Sequence, residues 1–226
     1  MRPEALKPSL AWGEKKIWID DRVWYVPTRS EQTPFTFPGW HAEGVFGNGN
    51  PVCVEYCSGN GAWVAARAVA HPDCNWVAVE KKFTRVRKIW SKIKNGDLNN
   101  LLVLCGEGQN ATTHHFPTAS VQQVYVNFPD PWPKRRHEKF RIINADFVAD
   151  MWRIIEPSGR LTMVTDDPDY SAWMIATVLK HGGWESVYPD PFYTTECADY
   201  GTSYFEEMWR SKGLVIRYHQ FKKKVC

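Results

Sequence analysis

Short apolar blocks punctuate this chain at a spacing that alternates strands with helices. Val52-Cys53-Val54-Glu55, just after Pro51, reads as a buried strand. It leads through Tyr56-Cys57-Ser58-Gly59-Asn60-Gly61 into Ala62–Ala70, an alanine-rich helix former. Residues 76–80 read as the next strand, and 82–94 alternate charge and bulk at helical spacing. Residues 101–105 and Val121–Asn127 are the third and fourth strands. A helix is expected from about 138 to 155, closed by Pro157 and Gly159, then a fifth strand over 161–165. Pro168 at a first helical position, with Asp167 as N-cap, opens a helix to about His181. Residues 184–188 and 214–221 are the final strands. The pattern predicts an α/β fold: a doubly wound, Rossmann-like, mostly parallel seven-stranded sheet with helices on both faces.

Residues 1–50 lack any long period. They mix Trp12, Trp18, Trp24 and Trp40 with Pro27, Pro34 and Pro38, and strand-like pieces such as Lys16-Ile17-Trp18-Ile19 are short. The reading is an N-terminal arm, 1–42, packed over the edge of one domain, 43–226.

In such sheets ligands bind beyond the carboxyl ends of the strands. Three acids fall there. Glu55 ends the first strand and precedes Gly59 and Gly61; Glu80 ends the second; Glu107 follows the third, in Cys105-Gly106-Glu107-Gly108. Glycines let backbone approach a ligand, and an acid about 20 residues later can accept ribose hydroxyls, so the set fits an adenosine cofactor. A dinucleotide loop is disfavoured, because the first glycine position holds Cys57 and Glu55 at the mouth would repel a pyrophosphate. The same acid tolerates a cationic ligand such as S-adenosylmethionine.

The run Asn127-Phe128-Pro129-Asp130-Pro131-Trp132-Pro133-Lys134-Arg135-Arg136-His137-Glu138-Lys139 adds a second chemistry. Three prolines in five residues forbid helix and ladder, so the chain leaves the sheet as a stiff loop. One carboxylate, one indole and then a cluster of cations suit the handling of a base in nucleic acid. The plain alternative is a proline-rich turn entering a charged helix. Net charge is +3, while 134–141 alone carries +4, which points to one localised polyanion contact on an otherwise near-neutral body. Lys222-Lys223-Lys224 reads as a solubilising tail.

Composition narrows the class further. Hydrophobic residues make up 43% of 226, enough for a substantial core. Six cysteines, none in a C-x-x-C pair, argue against zinc and against a disulfide framework. No apolar run approaches 18 residues and none resembles a signal peptide, so a cytoplasmic protein with no metal and no membrane partner is expected.

On these residues the chain resembles the bacterial tRNA (guanine-N7-)-methyltransferases over about 43–221. The resemblance rests on Glu55 to Gly61, Val77-Ala78-Val79-Glu80, and above all Asn127 to Lys134 with Arg136-His137 and Lys139 behind. Thr165-Asp166 and Thr202-Ser203-Tyr204-Phe205-Glu206 also match. It implies that 43–226 is a methyltransferase domain acting on N7 of a variable-loop guanine in tRNA. It implies that Glu55, Glu80, Glu107 and Asp130, with Gly59 and Gly61, contact S-adenosyl-L-methionine. Asp130 would be the catalytic carboxylate, and Lys134, Asp166, Ser203, Tyr204, Phe205 and Glu206 would contact tRNA. The protein would be a monomer or a homodimer.

The chain departs from the family pattern at Cys57 for glycine, Glu107 for aspartate and Phe140 for a basic residue, and Ser203 takes the register of a threonine. Guanine N7 has a lone pair and no proton, so Asp130 either orients the base or faces its developing charge. An exocyclic-amine methyltransferase is disfavoured because Asn127-Phe128-Pro129-Asp130 is not an Asn/Asp-Pro-Pro-aromatic loop. A non-catalytic RNA-binding subunit would have no need of the three strand-end acids, and a nicotinamide dehydrogenase would need the third glycine.

Overall fold

The computed structural model describes residues 1–8, 13, 15–27 and 35–224. Trp12, Pro34 and Cys226 lie outside the described residues. The chain divides into two compact units, Met1–Pro117 and Thr118–Cys226.

The first unit holds five strands: β1 (Trp18–Asp20), β2 (Val23–Val26), β3 (Val52–Tyr56), β4 (Asn75–Glu80) and β5 (Leu101–Gly106). Its helices are α1 (Ala62–Ala70), α2 (Phe83–Asn95) and α3 (Gly108–His115). β3 pairs parallel with β4, β4 with β5, and β5 with β2; β1 pairs antiparallel with β2. Residues of β3, β4 and β5 are buried throughout, as continuous apolar runs covered on both faces require. The strong moment of α2 comes from Val86, Ile89, Trp90 and Ile93 at helical spacing, which turn one side inward.

β1 and β2 form a hairpin whose two loop residues, Asp21 and Arg22, both have left-handed φ, 44° and 68°. That is the geometry of a type I′ turn, normally marked by Asn-Gly. Tertiary contacts hold the costlier residues there. Trp90 Nε1 donates to the Asp21 carboxylate at 3.0 Å, Lys94 pairs with Asp21, and Arg22 donates to the Val45 carbonyl at 2.6 Å. Trp24 in β2 is fully buried, stacked on Phe37 at 4.5 Å and on Phe116 at 5.8 Å.

The second unit holds β6 (Val121–Asn127), β7 (Ile155–Thr165), β8 (Trp184–Ser186) and β9 (Arg217–Lys223). β6 pairs parallel with β7, and β9 pairs antiparallel with both β7 and β8. The helices are α4 (Ala145–Ile154), α5 (Pro168–Lys180) and α6 (Tyr204–Ser211). Asp167 caps α5, its carboxylate accepting from Tyr170 N at 2.7 Å. The core gathers Phe147, Met151, Tyr170, Met174, Trp184 and Phe221, all fully buried.

The sheet architecture is α/β and mostly parallel, but the described residues form nine strands rather than seven. The expected helix over 138–155 is shorter. Residues Arg135–Phe140 form 3-10 turns, and α4 starts only at Ala145, where the Asn144 side chain accepts from Phe147 N at 2.9 Å. Pro157 and Gly159 do not follow the helix as a loop. They lie in a bulge of β7, where the register jumps from Val121↔Ile155 to Gln123↔Arg160. A Cβ at Gly159 would lie 2.4 Å from the Gln122 carbonyl oxygen.

Candidate active site

In the first unit the parallel order β3, β4, β5 sets three adjacent carboxyl ends side by side. Glu55, Glu80 and Glu107 therefore emerge along one edge. Glu55 and Glu80 are buried, and Glu107 is half-buried. Between β3 and α1 the loop takes three left-handed residues in five: Cys57, Gly59 and Gly61, with φ 63°, 55° and 70°. The loop is held from within. Ser58 Oγ donates to the Glu55 carbonyl at 2.9 Å, and Gly61 N donates to the Ser58 carbonyl at 2.8 Å. A Cβ at Gly61 would lie 2.6 Å from Ile89 Cγ1, so α2 packs where only glycine fits.

Glu80 ties this loop to the next strand. Its Oε2 accepts from Gly59 N at 3.1 Å and pairs with Arg85 at 3.5 Å, while Oε1 accepts from Lys82 N at 2.8 Å. A carboxylate has about four acceptor sites, so capacity for further donors remains. Glu107 caps α3, accepting from Gln109 N at 3.3 Å and Asn110 N at 2.7 Å. Beside it, burial and the Glu80 charge push the Cys105 thiol up to about 12, which keeps it protonated and inert.

In the second unit the proline loop leaves β6 at Asn127. Phe128 and Trp132 both have φ near +45°. Phe128 N still donates to the Val164 carbonyl at 2.9 Å, and Asp130 is exposed. The loop is braced by Arg141, which is 9% exposed. Its Nε donates to the Pro131 carbonyl at 2.8 Å, and its guanidinium lies over Tyr170 at 5.4 Å and Trp173 at 4.6 Å. Arg141 is thus a buried brace and not part of the outward charge patch that the sequence suggested. Lys134, Arg135, Arg136 and Lys139 are exposed. Trp132 is half-buried, with its ring edge-on to His137 at 5.7 Å and 5.4 Å from Phe140.

The same unit brings residues 203–206 to this loop. The rings of Phe205 and Phe128 lie 6.0 Å apart. Ser203 Oγ caps α6 by accepting from Glu206 N at 3.1 Å. Tyr204 and Phe205 are 65% and 42% exposed. Glu206 is buried; its Oε1 accepts from Tyr218 Oη at 2.6 Å and Arg210 Nε at 3.1 Å, and its Oε2 has no hydrogen-bond partner among the described residues. Burial, then Glu206, raises the Tyr218 phenol, which stays a donor. Asp166, just past β7, is half-buried, and burial raises its carboxyl above the usual range. Because Asn127 pairs with Val164, the proline loop and Asp166 leave neighbouring strand ends. Phe128, Arg141 and Tyr218 were not singled out by the sequence reading. Only Phe128 and Arg141 gave any signal there, by lying in or beside the proline run.

Strand-end acids around a glycine loop on a mostly parallel α/β sheet define the S-adenosylmethionine-dependent methyltransferase class. The fold agrees with solved structures: the 16S rRNA methyltransferase KamB matches with TM-score 0.57 at 16% identity, over 84% of this chain and 97% of that one. The 16S rRNA (adenine(1408)-N(1))-methyltransferase of Catenulisporales acidiphilia matches with TM-score 0.54 at 12% identity, over 77% and 85%. A family described as putative methyltransferase matches residues 49–217. The tRNA (guanine-N(7)-)-methyltransferase of Chlamydia muridarum is 45% identical over 100% of this chain and 99% of its own length. That of Rubrobacter xylanophilus is 30% identical over 79% of each. The chain belongs to the tRNA (guanine-N(7)-)-methyltransferase family.

Proposed function

We propose that this protein transfers a methyl group from S-adenosylmethionine to N7 of a guanine in tRNA. The observation that carries the reading is the full-length kinship with tRNA (guanine-N(7)-)-methyltransferases, joined to strand-end acids at a left-handed glycine loop. The first unit fits the cofactor chemically. Glu80, held by the Gly59 and Lys82 amides, is assigned to accept from ribose hydroxyls, and Glu55 to supply negative charge for a cationic ligand. Glu107, anchored as a helix cap, is the third acid of the set. S-adenosylmethionine, when bound, supplies an electrophilic methyl whose S–C electrons return to sulfur as the bond to N7 forms.

The residues of the second unit act on the base. N7 attacks with its own lone pair, so no proton has to be removed. The methylated base is cationic, and a fixed carboxylate nearby stabilises the charge that develops. Asp130, on a loop stiffened by three prolines and by Arg141, is assigned that role, together with orienting the guanine. Lys134 and its neighbours hold phosphates, which position RNA without reading its sequence. Asp166 and residues 203–206 complete the tRNA contacts. The place of action is the cytoplasm, on a variable-loop guanine, with the protein a monomer or homodimer.

Among the described residues no helix is long and apolar enough to cross a membrane, and no cluster of three metal-ligating side chains occurs. The test is to incubate the protein with labelled S-adenosylmethionine and unmodified tRNA and to map the labelled nucleotide. The label is expected as 7-methylguanosine; label on an exocyclic amine, or none, overturns the reading.

A further inference from the structure

A second basic surface lies in the first unit. Residues 81–95 contain Lys81, Lys82, Arg85, Arg87, Lys88, Lys92 and Lys94 and no acid, a local charge of +7 that exceeds the +4 behind the proline loop. The structure sorts these cations. Arg87 turns to the N-terminal segment, where Nε donates to the Leu6 carbonyl at 2.9 Å, and Lys94 pairs with Asp21. The others form a stripe. Arg85, Lys88 and Lys92 fall at i, i+3 and i+7 of α2, along the side of its buried Val86, Ile89 and Ile93 row, and Lys81 and Lys82 stand at the helix entry. From Phe83 to Lys92 this stripe runs for about 14 Å. Lys81, Lys82, Arg85 and Lys88 are exposed and Lys92 is half-buried. Only Arg85 has a carboxylate partner among the described residues, Glu80.

This arrangement works against the helix itself. Like charges three and four residues apart destabilise a helix, and cations at its N-terminus oppose the dipole. The first turn of α2 has no acid, and Lys82 as N-cap makes no side-chain hydrogen bond to it. Cations that, Arg85 aside, have no carboxylate partner among the described residues, and that oppose the dipole at the helix entry, are complementary to a row of negative charge.

We propose that Lys81, Lys82, Arg85, Lys88 and Lys92 form a second contact for the phosphodiester backbone of the RNA substrate, carried by the first unit. The proposal rests on the tRNA reading above. The contact is independent of sequence, because phosphates position RNA without specifying it. Through Glu80, which binds Arg85, the glycine loop and the Lys82 amide, the stripe begins one residue after the acid assigned to the cofactor.

The test compares wild type with the triple variant Lys81→Ala, Lys88→Ala, Lys92→Ala, none of which contacts the glycine loop. Binding of full-length tRNA is followed as salt is raised, and S-adenosylmethionine affinity is measured alongside. The steepness of log K against log salt is expected to fall by about 2, since each released phosphate contact contributes about 0.7–0.9. Cofactor affinity stays at the wild-type value, and the matching triple Lys→Arg variant keeps the wild-type slope. A wild-type slope in the alanine variant, while Lys134→Ala with Arg136→Ala still lowers it, overturns the stripe and leaves the tRNA reading intact. Wild-type protein that neither binds nor methylates tRNA overturns the tRNA reading and the stripe with it.

Discussion

Cys57 holds a position whose φ of +63° glycine adopts freely and a Cβ opposes. The sequence reading flagged Cys57 as a departure from the glycine that the family resemblance implies, without seeing its backbone cost. Cys57→Gly is expected to stabilise the protein by about 0.5–1 kcal/mol, the strain relieved less the extra freedom gained in the unfolded chain. Denaturant unfolding measures it, and an unchanged or lower midpoint would show that the thiol is held by contacts that offset the strain. Asp130 shows the opposite design. It is exposed and sits on a loop that is itself over-determined, so its chemistry can be removed without touching the core.

The element that matters most is the loop between β6 and α4. Its prolines were legible as a break in the ladder, and its position at a strand end followed from the apolar run before it. Its brace was not legible, because Arg141 reads as one more cation until Tyr170 and Trp173 are folded against it. Arg141→Ala is expected to lower methyl transfer to tRNA by at least tenfold while leaving cofactor affinity unchanged, and to cost about 1–3 kcal/mol of stability through the lost charged hydrogen bonds. Isothermal titration with S-adenosylmethionine beside a tRNA methylation assay separates the two effects. The hairpin β1–β2 was illegible for a related reason. Asp21-Arg22 carries no glycine or asparagine signature, and its turn is secured by Trp90, Lys94 and Val45, far away in sequence. The helix α6 was missed because Ser203, its cap, was read only as a substrate contact. By contrast α1, β6 and the Asp167 cap of α5 followed from local pattern alone, since propensity, periodicity and capping agreed there. The basic stripe on α2 was in plain view in the sequence, but the charge was summed over the remaining chain, where acids elsewhere cancelled it.

At the scale of the whole molecule, acid stability is set in part by one buried group. His219 is fully buried, its Nδ1 donating to the Met163 carbonyl at 3.0 Å and its Nε2 accepting from Ser171 Oγ at 2.8 Å. Burial pushes this imidazole down to about 4. The unfolded chain, with an ordinary imidazole near 6.5, binds the proton first. Stability is therefore fully present above about pH 6.5 and is lost as pH falls towards 4, by up to about 3 kcal/mol. Thermal unfolding across that window should show the loss, and His219→Gln should flatten it; an unchanged slope would place the acid sensitivity elsewhere. The account as a whole stands on the second unit acting on a guanine through Asp130. The most direct measurement is single-turnover methylation of saturating tRNA by wild type and Asp130→Ala, with the product nucleotide identified. The account predicts 7-methylguanosine from wild type and a rate about 10²–10³-fold lower in the variant, with cofactor binding reduced only moderately and folding intact. Wild-type rates in Asp130→Ala would contradict it, and the proline loop would then be a structural brace alone.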